Sequence, residues 1–227
     1  MKKIASIALC LAAAAGTAQA SITFSFADPV PGSQLTAVAD TPAPGIASLS
    51  YDTNATINLL IDGSQEGLGT TNFANARMEF TNMTLGAAVT IGGITVAPIS
   101  GSFTIYDFTG NVRTDILTGS SQNGSFVRVL GTNSLQFSTP DGFTYTAGPA
   151  LQAFMAPGTI LSAYQEASFS LTDVQAVGGG NFIGPGGVFR SFTANTSYSG
   201  NSEVVPTPGA LALAGLGGLL AARRRRA

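Results

Sequence analysis

Through residues 21–205 apolar side chains recur mostly at every second position, and no stretch carries a convincing helical period. Ile22-x-Phe24-x-Phe26, Met78-x-Phe80, Phe103-x-Ile105, Val127-x-Val129 and Phe169-x-Leu171 follow the alternation of a half-buried strand, whose successive side chains point to opposite faces. Val89-Thr90-Ile91 and Ile94-Thr95-Val96, divided by Gly92-Gly93, read as a hairpin with a tight turn. Clusters of turn-forming residues at 28–32, 40–45, 62–69, 118–124, 140–142 and 178–187 punctuate the strands. The pattern predicts an all-β body of roughly ten strands, an antiparallel β-sandwich or jelly roll in preference to a closed barrel, because the strands look uneven. Ser102-Phe103-Thr104-Ile105-Tyr106-Asp107 resembles Ser168-Phe169-Ser170-Leu171-Thr172-Asp173, so a duplicated half is a candidate.

Composition then removes most catalytic chemistry from that body. The chain has no histidine and no tryptophan, its one cysteine is Cys10, and its only lysines are Lys2 and Lys3. Ser-His-Asp, Cys-His and lysine-based nucleophiles cannot be assembled. Neither can zinc sites with His or Cys ligands, nor stabilising disulfides. Outside the terminal segments, 12 carboxylates face Arg77, Arg113, Arg128 and Arg190, a net charge of −8. So acidic a surface has no basic footprint for nucleic acid.

What survives is carboxylate chemistry and hard-cation binding. Asp62-Gly63-Ser64-Gln65-Glu66-Gly67 begins like a calcium loop, with oxygens at the first, third and fifth positions and glycine at the sixth. The twelfth position, where such a loop needs a bidentate glutamate, is Phe73, so the segment reads as an acidic turn. A looser calcium site, and with it a calcium-assisted carbohydrate-binding module, would draw on Asp52, Asn54, Asp107 and Asp173. A polysaccharide hydrolase would need two carboxylates at a fixed separation, taken from Glu66, Glu79 and Glu166. The glycine-rich stretch 178–187 reads as a mobile loop rather than a phosphate cradle, since no Gly-Lys-Ser/Thr ending accompanies it.

Both ends of the chain carry addresses. Lys2-Lys3, an apolar segment over 4–15, and Thr17-Ala18-Gln19-Ala20 before Ser21 have the order of a secretory signal peptide, residues 1–20, cut between Ala20 and Ser21 and engaging the Sec translocation machinery. Leu9 is too large for the residue before a lipidated cysteine, so Cys10 is not read as a lipoprotein site. A single secreted domain over 21–203 follows, then a tail over 204–227. In the tail, residues 210–222 are all Ala, Leu or Gly, and a helix over about 209–222 would be a short membrane span. Arg223, Arg224, Arg225 and Arg226 favour the cytoplasmic side and leave the body outside.

The order Val205-Pro206-Thr207-Pro208-Gly209, apolar run and arginine cluster resembles the PEP-CTERM sorting signal of Gram-negative bacteria. The likeness covers about the last two dozen residues. Pro206 and Pro208 match the family's two prolines, while Thr207 stands in place of its usual glutamate. The resemblance implies processing by an exosortase-like membrane transpeptidase and transient anchoring in the inner membrane. It further implies a final place at the cell surface or in an exopolysaccharide matrix or biofilm, and the residue types missing from the body make a non-enzymatic protein the expectation.

Overall fold

The computed structural model describes residues 21–27, 32–129 and 131–206. The expected signal peptide with Ala20, the turn residues 28–31, and the tail from Thr207 through Pro208, Gly209 and Arg223 to Arg226 lie outside the described residues.

The described chain is mostly antiparallel β, with strands β1 (Ser21–Phe26), β2 (Leu35–Val38), β3 (Ala47–Tyr51), β4 (Ile57–Asp62), β5 (Thr70–Leu85), β6 (Val89–Ile91), β7 (Ile94–Asp107), β8 (Thr114–Val129), β9 (Thr132–Ser138), β10 (Thr144–Ala147), β11 (Thr159–Ala176) and β12 (Phe192–Pro206). Its order becomes simple once the short strands are seen to lie end to end. β1 and β2 run in one direction along β12, from Ser21↔Glu203 to Ala37↔Phe192. β3 and β4 share β5 in the same way, and β9 and β10 share β8. Each long or composite strand pairs with the next in the chain, and β12 pairs back onto β1. The ladder is therefore an up-and-down meander that closes on itself. The jelly-roll alternative is corrected, because its Greek-key connection is not among these pairings. Uneven strand length does not prevent closure, since two short strands together match one long neighbour.

Alternation places the apolar members inside. Ile22, Phe24, Phe26, Met78, Phe103, Ile105, Phe169 and Leu171 are all buried. Phe103 is the hub, with the rings of Phe143, Tyr145, Phe169 and Tyr198 centred between 5.0 and 6.4 Å from its own. The hairpin β6–β7 forms at Gly92 (φ 57°) and Gly93 (φ 83°), both in the left-handed region that its two-residue turn requires.

Four expectations change. Residues 118–124 are no turn but the middle of β8. A Cβ on Gly119 would sit 2.5 Å from the Phe103 ring, and one on Gly124 2.4 Å from Phe137, so these glycines make room for aromatic packing. Val127-x-Val129 marks the outer face: Phe126, which precedes them on the opposite face, is buried, while both valines lie beside the exposed Ile94 and Val96 of β7. An α-helix, Pro149–Phe154, packs its buried Leu151 against the core. The stretch 178–187 is an anchored loop, with Phe182 and Phe189 buried against Phe126 and Phe192 and a bridge between Ile183 and Phe189.

Candidate functional site

The carboxylates singled out from the sequence are dispersed into local bonds. Asp62 accepts from the Ser64 N–H at 2.8 Å in a turn that closes as a 3-10 segment, and hydrogen bonding from the Ser64 side chain first, then from its N–H, holds the Asp62 pKa below the usual carboxylate value. Asp52 accepts from the Asn54 N–H, Asp107 from the Thr109 hydroxyl, and Asp173 from Asn195 Nδ2. Glu79 pairs with Arg113 at 2.8 Å, and Arg113 also holds Asp115 at 2.8 Å and stacks on Tyr106. Glu66 belongs to the Asp62 turn, where partial burial raises its pKa, and Glu166 accepts from Asn201 Nδ2. Among the described residues no three Asp or Glu side chains gather as a metal site would need.

A buried polar cluster is built around a bulge. The register between β11 and β12 shifts between Ser162 and Glu166, with Tyr164 at φ 49°, and this turns Gln165 inward. Gln165 Oε1 accepts from the Tyr145 N–H at 2.7 Å, and its Nε2 donates to Ser202 Oγ at 3.2 Å. It thereby ties β10 to β11 and β12 where β10 and β11 have no ladder of their own. Tyr145 donates its hydroxyl proton to the Glu166 carbonyl at 2.8 Å, so Tyr198, 2.6 Å away, must donate to Tyr145. We expect Gln165→Ala to cost about 2 to 3 kcal/mol, since it strands the buried Tyr145 N–H and removes the donor to Ser202, whose hydroxyl keeps only its bond to the Glu203 carbonyl. Urea unfolding checks this; a variant within 0.5 kcal/mol of the parent would show that the tie carries no weight.

The surface over β8, β9, β11 and β12 has a different character. Opposed pairs along it are Ser125↔Gln136, Ser168↔Gln136, Ser170↔Ser134, Ser168↔Ser199 and Glu166↔Asn201. An open groove of about 870 Å³ runs over β9 and β11 and ends at Asn133, Arg128, Asp173 and Phe182. It shares Gln136 and Ser168 with a second hollow of about 370 Å³ that reaches Glu166 and Asn201. The groove ends where the strands part. β9 pairs with β11 as far as Asn133↔Leu171 and turns back into β8 at Gly131, while β11 continues against β12. Arg128 stacks over Phe182 at 5.0 Å and donates to Asn181 at 3.4 Å.

None of these groove residues except Asp173 was singled out from the sequence. The available signal was the polar half of the alternation, Ser134-x-Gln136-x-Ser138 and Ser168-x-Ser170-x-Thr172, which marks one continuous face once the two strands are known to pair.

At the opposite end of β11 the first residues of the expected sorting motif meet the fold. Val205 and Pro206 complete β12, opposite Ile160 and Thr159, and Ser21 opens β1 opposite Glu203. No helix among the described residues is long and apolar enough to cross a membrane. No protein-family model, curated protein or solved structure matches this chain.

Proposed function

We propose that this chain is an exported, non-enzymatic surface or extracellular-matrix protein, its body carried outward ahead of a C-terminal sorting tail and then held in exopolysaccharide. The observation that carries the reading is where the body's two ends emerge. Ser21 and Glu203 are direct partners, and Pro206 lies three residues beyond, so the segments before β1 and after β12 leave the body at one end. That placement suits a signal peptide and a tail that both enter the same membrane before processing. β12 alone has 15 residues, roughly 50 Å, which one segment would otherwise have to retrace.

Two features support binding over hydrolysis. The groove-lined face is polar, built mostly from hydroxyls and amides that both donate and accept. Its carboxylates, Glu166 and Asp173, are seven positions apart on β11, roughly 20 Å, well beyond the 5 to 9.5 Å of glycosidase pairs.

The test is on the tail. With Pro206 and Pro208 both replaced by alanine, the expected result is full-length chain retained in the inner membrane, read as intact mass in membrane and medium fractions. Processing and release at the parental rate would remove the sorting assignment.

A further inference from the structure

We propose that the groove over β9 and β11 binds a neutral, hydroxyl-rich glycan chain, with Asn133, Arg128 and Asp173 forming its closed end. This rests on the polysaccharide association argued above and gives it a place and a ligand class.

Shape favours a polymer. The groove and the adjoining hollow share Gln136 and Ser168, so the depression continues across several strands rather than enclosing a compact molecule. Charge favours a neutral one. Asp173 and Glu166 line the two hollows against the single cation Arg128, on a body of net −8, so a polyanion would be repelled along most of its length. The lining of Ser134, Gln136, Ser168 and Ser170 offers groups that both give and take hydrogen bonds, as sugar hydroxyls do.

The closed end supplies directional contacts. Asn133 is 9% exposed, and its Nδ2 donates to the Gly131 carbonyl, while its Oδ1 is buried without a partner. A buried acceptor left this way costs free energy, and an incoming hydroxyl would relieve it after a rotation about χ2, which is soft in asparagine. Arg128 makes no ion pair among the described residues, and its stacking on Phe182 fixes the plane from which its remaining N–H groups donate. Asp173 sits at φ 50°, beside the register shift between Thr172 and Gln175, an uncommon conformation for a residue other than glycine. At the rim, where the outer polar face ends, Asn133 and Arg128 from the inner side of β9 and β8 join the Asp173 carboxylate in lining the hollow, which supplies an acceptor, a forked donor and a carboxylate.

Affinity electrophoresis of the full chain in mild detergent, through gels containing dextran or alginate, tests the assignment. The expected result is retardation by dextran and little by alginate. Asn133→Ala and, separately, Ser168→Arg should weaken retardation at least tenfold while leaving the melting temperature within a few degrees. Ser168→Arg is the safeguard, because it changes a groove-lining position on the outer face and leaves the core intact. Both folded variants retarded like the parent would overturn the groove while leaving glycan association standing. Retardation by alginate alone would overturn the neutral class. Parental chain retarded by neither polymer would overturn the polysaccharide reading itself, and this proposal with it.

Discussion

Gly200→Ala is expected to destabilise the barrel by about 4 kcal/mol, in the range reached only by substitutions that break a core or a buried polar network. Gly200 lies in β12 opposite Phe24 on one side and Ala167 on the other. A Cβ built on it falls 2.1 Å from the Tyr145 hydroxyl oxygen and 2.5 Å from that of Tyr198, and 3.0 Å from the Glu166 carbonyl. Neither hydroxyl can simply swing away. Each ends a ring locked by its neighbours, Tyr145 against Phe24, Phe103 and Phe143, and Tyr198 against Phe26, Phe103 and Phe169. A methyl group here therefore displaces two aromatic rings or parts β12 from β11, and either way the hydrogen-bonded pair is lost. Chemical denaturation of the parent and the variant measures the difference. A loss below 1 kcal/mol would mean that the tyrosines have freedom this packing denies them. Because Gly200 also lines the hollow near Glu166, the double variant Gly200→Ala, Tyr145→Phe is informative. It should recover part of the loss if the hydroxyl contact is the cause.

Gly200 also shows what a single sequence conceals. The alternation of Phe24, Phe103 and Phe169 was legible because a strand has a period of two and a buried face needs apolar residues at that period. The role of the glycines was not, because a glycine that admits a ring looks the same as one that makes a turn. Gly119 and Gly124 were read as a turn for this reason, yet Phe103, Phe143 and Phe137, from other parts of the chain, fill the space above them. Closure was hidden for a related reason, since the ladder that joins Ser21 to Glu203 bridges nearly the whole body and leaves no local trace. The helix Pro149–Phe154 is too short to display a period, and Pro149 in its first turn was its only local signal. At the groove, Asn133, Gln136 and Ser168 come together only through the pairing of β9 with β11. The tail is the reverse case, because the proposed sorting signal rests on local order and length alone.

The second large effect is an alkaline loss of stability set by the same two tyrosines. Tyr198 is buried and its pKa is pushed well above 10 by burial, against a smaller opposing contribution from its bond to Tyr145. Tyr145 is raised in the same direction, first by burial and then by the neighbouring Tyr198. In the unfolded chain both titrate near 10. Above that pH the unfolded state holds fewer protons than the folded one, so the free energy of unfolding falls as pH rises. The stabilisation is whole below pH 10 and is lost through the interval up to the folded-state values. Each tyrosine contributes a slope of at most about 1.4 kcal/mol per pH unit while pH lies between its unfolded and folded values, so the decline is at its steepest where both are in that interval. Urea unfolding at pH 8, 10, 11 and 12 should show a level region followed by this decline. Tyr198→Phe should begin from a lower stability at pH 8, because Tyr145 loses its donor, and should then decline at about half the slope. Equal slopes in the parent and the variant would show that Tyr198 titrates freely in the folded barrel, and the buried pair could not then be what closes β12 against its neighbours.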